Sequence, residues 1–189
     1  MKIKVEVSGR HAHLSKEHLH KLFGEGYELN KKRDISQPGQ YVAHEKVSLV
    51  NGDLEIRDVK ILGPVRNKTQ IEILEEDVNT LEVNAPLRIS GNIKNSAGIK
   101  IKGPFGEIEL NEGVIRAERH IHLSLEDLEK VGFKDGDYAN LKIREDIIKC
   151  MVRSGKDHST AVHLDKDDAK RLNLDAARAV GEDVFGEIL

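Results

Sequence analysis

The sequence predicts a mainly β protein with short helices, built as two helix-capped β-barrel domains related by internal pseudo-symmetry. Three observations lead there. Apolar residues recur at period two in many short runs, the pattern of half-buried strands. Residues 10–19, RHAHLSKEHL, return as residues 119–128, RHIHLSLEDL, with seven of ten positions identical. Each copy carries, at its sixth position, a serine placed to cap a short helix. Many closely spaced strands with few helices suit compact barrels, and the repeat suits duplication of a barrel-plus-helix unit.

Each element follows from its residues. Ile3, Val5 and Val7 alternate with Lys4, Glu6 and Ser8, a first strand. Ser15, with Glu17 in the first turn and Leu19 facing inward, opens a helix. Residues 40–50, 53–62, 69–74, 98–103, 106–110 and 113–118 alternate as strands, with the Asn51, Gly52, Asp53 turn joining the first two as a hairpin. Gly63 with Pro64, and Gly103 with Pro104, mark further turns. The second copy repeats the plan: Ser124 caps a helix, residues 137–143, 147–153 and 160–165 are strands, and Asp165 caps a last helix. From about Arg178 the periodicity fades, and a loose tail is expected.

Composition removes several function classes. Of 189 residues 38% are hydrophobic and 33% charged, which suits a packed core and not a disordered chain. The net charge of −3 and the absence of a basic face speak against nucleic acid. No run approaches the roughly 18 apolar residues of a membrane helix. The N-terminus alternates from its second residue and does not resemble a signal peptide. Cys150 is the only cysteine, so no intrachain disulfide can form, in keeping with a reducing cytoplasm. Its place in the alternating run IIKCMV predicts a packed small hydrophobe and not a nucleophile.

The chemistry lies in the repeat. Residues i and i+2 of a strand share a face, so His11 with His13, and His120 with His122, form two-pronged sets of imidazoles at strand ends. Neutral imidazole is a preferred zinc ligand, and a catalytic zinc takes three protein ligands while keeping a fourth position open. His163, two residues before a helix cap, and Glu72, on one strand face with Gln70, are candidates for the third ligands. His18, His20, His44 and His158 lack such a context and are expected at the surface. HAHLSKE also fits the His-x-His-x3-Glu of the cupins. The helix capped at Ser15, however, turns Glu17 away from the histidine face, and a cupin leaves the duplication unexplained.

The motifs RHAHLS, SQPGQY (36–41), LGPVRNKTQIE (62–72), EGVIRAERHIHLS (112–124) and AVHLD (161–165) stand in an order that resembles the phosphate propanoyltransferases, the PduL-type phosphate acyltransferases. The resemblance spans about residues 8–165. It implies reversible conversion of acyl-CoA and phosphate to acyl phosphate and CoA, with two zinc ions. One zinc would be held by His11, His13 and Glu72, the other by His120, His122 and His163. Arg66 matches the family's active-site arginine, and Ser8, Arg33, Lys60 and Leu62 fall where the family contacts coenzyme A. Where this chain has Arg33 and Lys60 the family often has Lys and Arg, swaps that keep charge but change the donor geometry.

The resemblance also implies one domain of residues 1–9 plus 118–189, another of residues 10–117, an active site at their interface, and a homodimer. It suggests direct attack of phosphate on the thioester without a covalent enzyme intermediate. Because the sequence begins at its first strand, a free cytosolic enzyme is expected in preference to one packaged in a bacterial microcompartment. Two other classes remain open on the residues alone. A dinuclear zinc acyl-CoA hydrolase would use the same ligands with a bridging water. A non-catalytic, zinc-stabilised binding module would need closed four-ligand sites.

Overall fold

A computed structural model of the protein describes residues 1–156, 158–179 and 181–189. It divides into two compact units, Arg10–Ala117 and Met1–Gly9 with Glu118–Leu189. Each is a closed six-stranded barrel with its own apolar core.

In the unit Arg10–Ala117 the order is β2 (His11–His13), α1 (Lys16–Phe23), β3 (Lys31–Asp34), β4 (Tyr41–Asn51), β5 (Leu54–Gly63), β6 (Gln70–Glu72), α2 (Glu75–Leu81), β7 (Leu87–Arg88), β8 (Ala97–Lys102) and β9 (Glu107–Ala117). The barrel runs β9, β6, β2, β5, β4, β8 and back to β9, with β3 added on β4 and β7 on β9. Its core includes Ala12, Leu14, Ile61, Ile71 and Ile73. Period-two alternation puts their sequence neighbours on the outer face.

In the other unit β1 (Lys2–Ser8) joins β10 (His120–Leu123), α3 (Leu125–Val131), β11 (Tyr138–Ile143), β12 (Asp146–Ser154), β13 (Ala161–Asp165), α4 (Lys166–Arg171), α5 (Asp175–Ala179) and β14 (Phe185–Ile188). The ring is β1, β13, β10, β12, β11, β14 and back to β1. Read in this order the two rings have the same sequence of neighbour relations: parallel, antiparallel, parallel, then three antiparallel. That is the internal pseudo-symmetry. In it β1 corresponds to β9, so the strand before each Arg-His-x-His closes the barrel that does not contain the histidines following it.

The helix starts follow their caps. Ser15 accepts from the His18 amide, Ser124 from that of Asp127, and Asp165 from that of Asp168. The expected loose tail is corrected: β14 pairs with β1 and β11 and closes the second barrel. Its inward residues are Gly186 and Ile188. A side chain at Gly186 would come within about 3.0 Å of Leu141, so the bare position both closes the barrel and hides the alternation. Two expected strands, 106–110 and 113–118, are one strand, β9, whose chain passes through Gly113 at φ 134. Cys150 is fully buried in the core, and burial pushes its thiol up to about 12.

Candidate metal centre

Parity places the histidines. Ala12 fills the first core, so His11 and His13 project from the opposite face of β2. Across the antiparallel ladder His11 faces Glu72 and His13 faces Gln70. In the other unit Ile121 is inward, and His120 and His122 project outward, facing His163 and Ala161 on β13. Each unit therefore assembles a triad on the outer face of its barrel, His11, His13 and Glu72 in one and His120, His122 and His163 in the other. Within each, one donor atom per residue lies within 4.8 Å of the others. Ligands at ~2.1 Å on a tetrahedral ion are about 3.4 Å apart, so modest side-chain rotation suffices to close either set.

The electrostatics fit a cation. Burial first, then the charges of His11 and Arg66, lowers the His13 pKa to about 3. Burial and the neighbouring His163 and His120 lower His122 to about 2. Burial and His120 lower His163 to about 3. These rings are neutral at physiological pH, the protonation state a metal requires. His13 Nδ1 and both nitrogens of His122 are buried with no hydrogen-bond partner among the described residues. Unpaired buried nitrogens are costly, and a cation in each triad would satisfy one nitrogen of each of these rings.

Surrounding groups fix the orientation of these donors, as outer partners commonly do at metal sites. His120 Nδ1 donates to the Glu118 carbonyl at 2.8 Å, which leaves Nε2 for the triad. Glu6, opposite His163 in the ladder of β1 and β13, approaches His163 Nδ1 at 3.7 Å. Gln70 donates to Glu72 Oε1 and to Ser90 Oγ, both at 2.8 Å, and accepts from the Gly91 amide. Arg66 sits between β5 and β6, its amide bonded to the Leu14 carbonyl and its Nη1 3.3 Å from Ser90 Oγ. Its charge is among those that disfavour a proton on His13, which places it beside the first triad.

The residues expected on the coenzyme A side are spread over both units. Arg33 is level with Val42, and Val42 with Leu62, across β3, β4 and β5, while Lys60 lies two residues from Leu62 on the same face. Arg33 and Lys60 are exposed. Ser8 ends β1 in the other unit, its hydroxyl 3.5 Å from the Leu164 carbonyl.

Three histidines expected at the surface are half-buried. His18 Nδ1 bonds Thr69 Oγ1 at 2.7 Å, His20 bonds Glu25, and His158 stacks on His122 with ring centroids 4.0 Å apart. His44 is exposed. Glu17 pairs with Lys21 on the exposed side of α1, away from the triad. Gln70 shares a strand face with Glu72, a parity signal present in the sequence, whereas Glu6 is brought opposite His163 only by the ladder of β1 and β13. His158 follows no periodic pattern that could have singled it out.

The duplicated barrels and their three-donor triads define a class of protein with two metal-competent centres. The chain matches the family model for phosphate propanoyltransferase over residues 4–175. It is 41% identical over 174 residues to a phosphate propanoyltransferase of Clostridioides difficile, covering 88% of this chain and 82% of that protein. It is 42% identical over 183 residues to one of Lachnoclostridium phytofermentans, covering 94% and 85%. It is 38% identical over 182 residues to one of Salmonella typhimurium, covering 94% and 86%. The chain belongs to the phosphate propanoyltransferase family and is an acyltransferase. No helix among the described residues is long and apolar enough to cross a membrane.

Proposed function

We propose that the protein interconverts acyl-CoA and phosphate with acyl phosphate and CoA, the acyl group being acetyl or propanoyl, with a zinc ion in each triad. The observation that carries this reading is a buried triad of two imidazoles and a carboxylate with the Arg66 guanidinium beside it, in a chain of this family. His11, His13 and Glu72 would hold one ion, and His120, His122 and His163 the other. When bound, zinc supplies Lewis acidity and positive charge at the reacting carbonyl and phosphate.

The chain's own residues do the rest. Arg66 offers a planar fork of donors that matches two phosphate oxygens and orients the anion for attack. A phosphate oxygen forms the new C–O bond to the thioester carbon, the C–S bond breaks, and CoA leaves as thiolate. Phosphate is a competent nucleophile near neutral pH, and the buried, fully protonated Cys150 is not suited to attack. Arg33 and Lys60 supply exposed positive charge for the phosphates of CoA, with Leu62 against its apolar parts and Ser8 as a hydroxyl contact. A buried single cysteine suits a cytosolic setting.

The test is thiol release from acetyl-CoA and propanoyl-CoA, with and without phosphate, before and after chelation. Release that requires both phosphate and metal is expected. Metal-dependent release without phosphate would make the protein a hydrolase, and no release from a zinc-loaded sample would make the centres structural.

A further inference from the structure

The arginine that opens each Arg-His-x-His is not a ligand candidate, yet it recurs, and in each unit it does the same thing. Arg10 Nε donates to Asp77 Oδ2 at 2.9 Å while its Nη2 lies 2.7 Å from Asp77 Oδ1, a two-pronged pair; Nη2 also meets Glu76 at 2.7 Å. Arg119 grips Asp168 with Nε and Nη2, each 2.8 Å from Oδ1. Both aspartates are buried, at 1% and 6% exposure, while the arginines are about one-third exposed.

The placement is the same in both units. Asp77 lies five residues after Glu72, and Asp168 five residues after His163. Each therefore sits in the helix that follows the strand carrying the third donor. His11 with Glu72 is the terminal pair of a ladder only three residues long, and His120 with His163 is likewise terminal. Among the described residues, no ladder pair beyond those ties the two chain segments. The ion pair supplies the next tie, one residue before the first histidine on one side and inside the helix on the other. Both aspartates are anchored independently: Asp77 Oδ2 accepts from the Leu74 amide, and the Asp168 amide donates to the cap Asp165.

We propose that these two pairs are positioning clamps, Arg10 with Asp77 and Arg119 with Asp168, each setting the metal affinity of the triad in its own unit. This rests on the reading of the triads as metal sites. A clamp acts by holding the first and third donors at a fixed spacing, so that the ion does not have to order them. Two guanidinium nitrogens held on one carboxylate, on both oxygens of Asp77 and on the single Oδ1 of Asp168, fix distance and angle together, which lysine cannot reproduce. If the pairs only anchored helices, their loss would lower stability without regard to which triad is measured.

The experiment uses the full-length protein with one triad disabled by His13→Ala, leaving the centre at His120, His122 and His163. Zinc affinity is read by competition with a graded chelator, and the visible spectrum of the cobalt-loaded protein reports ligand geometry. Adding Arg119→Lys should weaken the remaining ion about 10- to 100-fold and shift the cobalt bands, whereas adding Arg10→Lys should leave both unchanged. Asp168→Asn, which keeps the main-chain cap, should act like Arg119→Lys. Equal effects of Arg10→Lys and Arg119→Lys, or none from Arg119→Lys and Asp168→Asn, would overturn the clamp. A wild type that takes up fewer than two ions per chain would instead overturn the metal reading beneath it.

Discussion

Removing β1 should unfold the unit it closes. In the ring β1 lies between β13 and β14, pairing with Val162 to Asp165 on one side and with Phe185 to Glu187 on the other. It buries Ile3 and Val5, at 4% and 8% exposure. Burying two such side chains is worth about 3–6 kcal/mol together, against the roughly 5–15 kcal/mol that holds a whole domain. Its loss also leaves β13 and β14 with unpaired edges and opens the core to water. The comparison is between two polypeptides, residues 118–189 alone and the same residues followed by a short loop and residues 1–9. The join is compatible with the fold, because Ile188 donates to the Met1 carbonyl at 2.9 Å and the strands are antiparallel. Urea unfolding followed by circular dichroism should give a cooperative transition for the joined polypeptide and none for the bare one. A bare polypeptide with the same cooperative midpoint would refute the assignment of β1 as a structural member of that barrel.

Acid should destabilise chelator-treated protein well before its carboxylates titrate. His13, His122 and His163 have folded-state values of about 3, 2 and 3, below their ordinary 6.5, so the unfolded chain takes up protons first. Stability present at pH 8 is then lost as pH falls from 6.5 toward 3, by about 1 kcal/mol per ring at pH 5.5; an unchanged urea midpoint between pH 8 and 5.5 would contradict this. Cys150, buried with its thiol pushed up to about 12, should resist iodoacetamide at pH 8 until urea unfolds the protein, which mass spectrometry reads directly. Leu14→Ala and Leu123→Ala, both at fully buried positions after a His-x-His, should each cost about 2–5 kcal/mol in urea unfolding. Arg66→Ala should lower kcat/KM for phosphate about 10- to 100-fold, the loss of a charged hydrogen-bonding partner, while zinc content stays at the wild-type level.

Strand structure was legible wherever one face met the core and the other met water. The alternation of Ile3 and Val5, or of Ala139, Leu141 and Ile143, reports burial on one side only. It failed at β3, whose residues Lys31 to Asp34 are all exposed on a strand added outside the barrel. It failed again at β14, where the inward Gly186 carries no side chain to mark the face. Helix α2 was missed because its N-cap is Leu74, and the Asp77 carboxylate three residues on bonds the cap amide in place of the usual Ser or Thr. Among site residues, the histidine pairs needed only the parity of a strand. Glu72 and His163 were candidates in the sequence, and the ladders of β6 with β2 and of β13 with β10 set each beside its histidine pair. The spacing of five from Glu72 to Asp77 and from His163 to Asp168 is present in the sequence, but it acquires meaning only through the arginines that reach those carboxylates.

The repeated hexapeptide can now be read position by position. In RHAHLS and RHIHLS the histidines project from the outer face, so the residue between them must enter the core, and it is Ala12 in one unit and Ile121 in the other. The leucine that follows is fully buried in both. The serine caps the next helix in both, and in both its own amide donates to a threonine, Ser15 to Thr69 at 2.9 Å and Ser124 to Thr160 at 3.0 Å. The arginine meets a buried aspartate in both. Every position except the one between the histidines carries the same load twice, and that position differs in size because it fits a different core. A stretch of six residues thus joins strand, core, cap and donor triad. A change at Leu14 or Ser15 would disturb the imidazoles through the backbone even though neither side chain belongs to a triad.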